Sequence, residues 1–238
     1  MTLLVRLIVA ALALSALGCG GEERSAPPRT RADMPPAPAP AVPADTTERQ
    51  AAAARPRIVF LGDSLTAGLG LAAHESVPAL VQQRLDKEGY GYEVVNAGVS
   101  GDTSAGGLSR LDWSLDGDVR VLVIELGAND GLRGIPVATM KQNLDEIITR
   151  AKKRGVTVLL TGMEAPPNYG EAYTSEFRRA YRDLAGAHDV AFMPFFLDGV
   201  AGIDALNQGD RIHPNPEGAR LIERKLWASL EPLLDRAD

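Results

Sequence analysis

Apolar residues are spaced in two alternating rhythms from residue 57 onward. Residues 57–61 (RIVFL) form a short, almost wholly apolar run, which predicts a strand. Ser76 can cap a helix running to Gly89, with Pro78 in its first turn, where proline is tolerated. Residues 92–97 predict a second strand. Thr103 opens a helix that carries Leu108, Leu111 and Leu115 on one face. Residues 119–126 (VRVLVIEL) give the strongest strand signal, apolar almost throughout, as in a strand covered on both faces. Pro136 starts a helix with Met140, Leu144, Ile147, Ile148 and Ala151 at helical spacing, and Gly155 ends it. A fourth strand follows at 156–163, then a helix with Phe177, Tyr181 and Leu184 inward, and a fifth strand near 190–194. Asn215-Pro216 is a capping residue followed by proline at the first helical position, starting a last helix with Ile222, Leu226 and Leu230 inward. Five strands alternating with helices predict a parallel sheet with helices on both faces. With right-handed crossovers this is an α/β fold, a three-layer αβα sandwich on a five-stranded parallel sheet, flavodoxin-like in layout.

The first 56 residues lack this rhythm. Residues 1–18 place Arg6 before an apolar run that ends at Leu17, the pattern of an export signal; an uncleaved anchor is the alternative. The ending Leu17-Gly18-Cys19 resembles a bacterial lipobox, although Ala16 stands where such boxes usually carry leucine. Cys19 is then the lipidated first mature residue and a membrane anchor, with ordinary secretion as the alternative. Gly20 is not the aspartate associated with inner-membrane retention, so the expected address is a periplasmic or cell-envelope lipoprotein on the outer membrane. Residues 20–56 are rich in proline and alanine and read as a spacer without regular structure. The folded domain is expected to span 57–238.

Composition narrows the chemistry. A formal charge of -6 and no basic cluster argue against nucleic acid as a partner. Cys19 is the one cysteine, so an intramolecular disulfide is excluded. Three histidines without an HExxH motif make zinc an unpromising cofactor, and neither a metal nor an organic cofactor is expected.

In open α/β sheets, sites form beyond the carboxyl ends of the strands. The loops leaving those ends read Gly62-Asp63-Ser64-Leu65, Asn96-Ala97-Gly98, Gly127-Ala128-Asn129-Asp130 and, before the last helix, Asp210-Arg211-Ile212-His213-Pro214. Acyl transfer needs a nucleophile, a base, a group that orients the base, and donors for the oxyanion. Ser64 is the candidate nucleophile. His213 is the candidate base, since imidazole titrates near neutrality. Asp210, three residues earlier, can orient it. The backbone N–H groups of Ser64 and Gly98 and the Asn129 amide are the candidate oxyanion donors. Plainer readings stand beside these: a helix cap for Ser64, turn glycines at 98 and 127, a loop-bridging amide at Asn129, and a loop carboxylate at Asp210. His74 is a rival base without a well-placed carboxylate. His188 suits a helix C-terminus, where positive charge is favourable. Glu125, inside the third strand, is expected to be buried or hydrogen-bonded near the site, with no assigned role. The glycine-rich stretch 62–70 lacks the lysine of a phosphate loop.

These four blocks, in this order, resemble the SGNH/GDSL hydrolase family, and most of all its bacterial arylesterase, lysophospholipase and acyl-CoA thioesterase I branch. The resemblance extends over residues 57–234 and includes LGANDGLRG and MEAPPNYG. It implies the same catalytic roles for Ser64, Asp210 and His213, the same oxyanion set, and a small acyl ester or thioester as substrate. It also implies that Tyr169 and Pro167 line the acyl pocket, where a plain loop is the other reading. Alternatives are an O-deacetylase of carbohydrate or peptidoglycan, and a tethered binding module with a degenerate site.

Overall fold

The computed structural model describes residues 55–235. The residues expected to form the export signal, Cys19 and the expected spacer up to residue 54 lie outside the described residues. Five parallel strands form one sheet: β1 (Arg57–Gly62), β2 (Glu93–Gly98), β3 (Val119–Glu125), β4 (Thr157–Thr161) and β5 (Ala191–Met193), in the order β2-β1-β3-β4-β5. The αβα fold is the one expected. Helices α1 (Ser64–Ala67), α2 (Val77–Glu88), α3 (Ser104–Ser109), α4 (Leu111–Ser114), α5 (Ala128–Leu132), α6 (Val137–Lys153), α7 (Glu171–His188) and α8 (Pro216–Leu230) alternate with the strands. Helices α2 and α8 pack together, while α6 packs against both α3 and α7, giving the two helical layers.

β3 is buried at every position except Arg120, because it lies mid-sheet under both layers. β1 is buried throughout after Arg57. The outer strand β2 is only partly covered, which explains its weaker apolar pattern. The chain goes from β1 outward to β2, then returns across β1 to β3. The switch point, where such folds open a crevice, therefore lies between the carboxyl ends of β1 and β3. Ser64 follows one of those strands and Asn129 the other.

Two local expectations change. The helix predicted from Thr103 through Leu115 is broken in two at Arg110 (φ −108°, ψ 7°). Gly106 and Gly107 are poor helix formers, and the Arg110 side chain instead reaches the ends of β1 and β2. Ser76 stands at the start of α2 without capping it; its hydroxyl donates to the Ala73 carbonyl. The caps expected from Thr103 and Asn215 do form: Asn215 Oδ1 accepts from the N–H groups of Glu217 and Gly218.

Candidate active site

β1 ends at Gly62 and the chain turns at once into α1. Asp63 caps that short helix, its Oδ1 accepting from the Leu65 N–H at 2.9 Å. The capping role considered for Ser64 thus falls to its neighbour, and Ser64 becomes the first helical residue. Its hydroxyl is left free to face the carboxyl edge of the sheet. There Ser64 Oγ lies 2.9 Å from His213 Nε2, although 149 residues separate them.

His213 is held by the loop before α8. Asp210 Oδ2 sits 2.6 Å from His213 Nδ1, and Asp210 Oδ1 accepts from the backbone N–H groups of Ile212 and His213, both at 3.0 Å. This tight turn requires Arg211 to take φ +62°, a strained region for a non-glycine residue. Accepting these donors from His213 and Ile212 holds the Asp210 carboxyl well below the usual carboxylate range. An anionic Asp210 fixes the proton on Nδ1 and leaves Nε2 as an acceptor for the serine proton.

One member of the expected oxyanion set lies away from the cavity. The Gly98 N–H donates to Asn96 Oδ1 at 3.0 Å, and Gly98 does not line the cavity beside Ser64. Its lack of a side chain serves packing. A Cβ there would stand 2.3 Å from the Ala67 backbone nitrogen, so glycine lets β2 approach α1. The glycine that does line the cavity is Gly101, at φ +85°. Its carbonyl accepts from Arg133, while its own N–H bonds no other described residue. The stretch Gly98-Val99-Ser100-Gly101 offered two glycines, and periodicity alone could not choose between them. Asn129 does border the cavity. One of its two amide N–H bonds goes to Asp63 Oδ2 at 3.0 Å, leaving the other for a ligand.

Beneath this layer lies a buried acidic pair. Glu125, the last residue of β3, has no solvent exposure; its Oε2 accepts from Thr66 Oγ1 at 2.8 Å and from the Asp63 N–H at 3.3 Å. Burial raises the Asp63 carboxyl above the usual range and raises Glu125 further. Asp130, also buried, accepts from the Ser104 N–H and hydroxyl at 2.8 and 2.6 Å, which ties the Asn129 loop to α3.

A cavity of about 820 Å³ opens beside Ser64 and His213. Its wall is chiefly apolar, with Leu65, Met163, Ala165, Pro167, Phe195 and Leu197 among the lining residues. Pro167 is among these lining residues and Tyr169 is not; Tyr169 is 42% exposed, and its hydroxyl donates to the Leu132 carbonyl. The other lining residues come from six separate segments of the chain, so no single spacing pattern marks them as one wall. The rival histidines are elsewhere. His74 occupies an exposed turn, and His188 pairs with Asp145 at 2.7 Å across α6 and α7.

A serine hydroxyl bonded to an imidazole that a carboxylate orients, at the mouth of an apolar cavity on an αβα sandwich, defines a serine hydrolase. A family model described as GDSL-like Lipase/Acylhydrolase matches residues 60–221, and the chain belongs to that family. Esterase TesA of Pseudomonas aeruginosa is 47% identical over 183 residues, covering 76% of this chain and 91% of the relative. Arylesterase of Vibrio mimicus is 40% identical, covering 70% of this chain and 84% of its own length. Thioesterase 1/protease 1/lysophospholipase L1 of Escherichia coli K12 is 38% identical, covering 77% and 88% respectively. The crystal structure of TesA superposes with a TM-score of 0.72 at 45% identity, covering 75% of this chain and 99% of that one. The chain is a carboxylic ester hydrolase that uses serine to cleave esters or thioesters.

Proposed function

We propose that Ser64 is the nucleophile of a two-step acyl transfer to water. His213 Nε2 takes the Ser64 proton as Oγ attacks the ester or thioester carbonyl. Asp210 stabilises the resulting imidazolium. The oxyanion is received by the N–H groups of Ser64 and Gly101 and by the free amide N–H of Asn129. His213 then gives its proton to the leaving alcohol or thiol, forming an acyl-Ser64 intermediate. Water, deprotonated by the same imidazole, releases the acid. The single observation that carries this reading is the 2.9 Å contact between Ser64 Oγ and His213 Nε2, with Asp210 2.6 Å behind.

The apolar cavity supports an acyl group longer than acetyl, since burying each added methylene gains about 0.8 kcal/mol. One experiment tests both parts: hydrolysis of p-nitrophenyl acyl esters of graded length by the wild type, Ser64→Ala and His213→Ala. Either variant should lose about 10⁶-fold in kcat, and wild-type kcat/KM should rise from acetyl to longer chains. Undiminished turnover by Ser64→Ala would end the mechanism. An acetyl optimum would favour O-deacetylation.

The same reading extends to the N-terminus: residues 1–18 as an export signal, Cys19 as a lipid anchor, 20–56 as a spacer, and 57–238 as the hydrolase domain of a cell-envelope lipoprotein on the outer membrane. The apolar run ending in Leu17-Gly18-Cys19 and the Pro/Ala-rich stretch after it support this.

A further inference from the structure

The acid pair beneath Ser64 has four carboxyl oxygens, and three of them receive donors. Asp63 Oδ1 accepts from the Leu65 N–H, Asp63 Oδ2 from the Asn129 amide, and Glu125 Oε2 from Asp63 and Thr66. Glu125 Oε1 is buried and meets no donor. The Asp63 N–H bonds Glu125 Oε2 at 3.3 Å, so the two acidic residues are direct neighbours. Two adjacent carboxyls in a site closed to water do not both ionise, so one proton resides on the pair. Asp63 uses both oxygens as acceptors, which suits the anion. The oxygen without a donor belongs to Glu125, which suits the acid.

We infer that Glu125 is held as a neutral carboxylic acid, with its proton on Oε1, and that it is a positioning residue for Ser64 and Asn129. This rests on the roles given to those two residues above. Glu125 fixes Asp63, and Asp63 does two things at once. It caps α1, which sets the Ser64 backbone, and it turns the Asn129 amide so that one N–H faces the cavity. Ionised Glu125 would repel Asp63 and release both. The other titratable groups around the pair are Tyr181 of α7, Asp130 of α5 and His213. The Tyr181 hydroxyl donates to the Leu126 carbonyl, and Asp130 is occupied by Ser104, so neither exchanges a hydrogen bond with the Glu125 acid.

The test compares wild type, Glu125→Gln and Glu125→Leu in the folded enzyme. Glutamine copies the neutral acid, with an amide N–H in place of the O–H and a carbonyl in place of Oε2. It should keep most of the turnover that leucine loses, which is expected to be at least about tenfold in kcat with little change in KM, because the donors being misplaced act on the transition state. Infrared difference spectra at neutral pH, wild type minus Glu125→Gln, should contain the carbonyl stretch of a neutral carboxylic acid. The melting temperature gives the third readout. An acid protonated in the folded state and ionised in the unfolded one binds one extra proton on folding. Its stability contribution is full below the ordinary glutamate range and declines as pH rises toward the folded value. Wild type should show this decline and Glu125→Gln should lack it. Absence of the neutral-acid band overturns the inference, as does a Glu125→Gln enzyme as slow as Glu125→Leu. The band and the melting slope read the proton itself, so they decide the protonation state even where Ser64→Ala proves active.

Discussion

Asp210 does its work through three hydrogen bonds on one carboxylate, two from the backbone of its own turn and one from His213 Nδ1. Spacing alone announced the ring contact, because three residues within one turn bring a carboxylate to an imidazole. The backbone bonds, and the left-handed Arg211 that permits them, were not legible: a φ of +62° at arginine contradicts its local preference and is imposed by the turn. The lowered Asp210 carboxyl has a pH signature. A carboxylate depressed in the folded state contributes stability above the ordinary aspartate range and loses it as pH falls toward the folded value. Asp210→Asn should therefore flatten the acid side of a melting-temperature profile between about pH 4 and pH 2, most clearly at low salt because the side chain is partly exposed. It should also lower kcat by about 10²–10⁴-fold at neutral pH. An acid limb identical to wild type would show that the carboxylate has no net stabilising effect.

Among the elements, the broken helix after Thr103 departs most from its sequence pattern. Leu111 and Leu115 are buried as the periodicity requires, yet the segment divides at Arg110. The reason is tertiary. Arg110 turns its guanidinium to the Ala97 carbonyl at 2.6 Å, the Gly62 carbonyl at 2.8 Å and Asp102 Oδ2 at 2.7 Å. One cation thus binds the ends of β1 and β2 and the loop carrying Gly101. Loss of a hydrogen-bonded charge at a half-buried position costs about 2 kcal/mol. Arg110→Ala should lower the melting temperature by about 4–8 °C and reduce kcat more than KM, because the Gly101 N–H loses its placement. Thermal unfolding and steady-state kinetics check this; an unchanged kcat would detach the clamp from catalysis.

For the whole molecule, the proposed N-terminal address and the folded hydrolase make separable demands. A lipid anchor at Cys19 predicts that full-length protein expressed in a bacterial host incorporates a fatty-acid label and enters the detergent phase. Cys19→Ser should do neither, while its esterase activity stays at the wild-type level. Unlabelled wild-type protein would argue for secretion without an anchor. The sequence by itself determined the layered α/β architecture, because apolar runs and helical spacing report burial locally. It also determined the four polar blocks, because a strand followed at once by glycine and polar residues marks a carboxyl-edge loop. What only the tertiary structure decided was which groups meet. Gly101 rather than Gly98 borders the cavity, Tyr169 stands outside it while Pro167 stands in it, and Glu125 lies against Asp63. Strand register and sheet order bring together residues far apart in the chain, and a hydrogen bond is won or lost over less than an ångström, a scale that residue spacing does not encode.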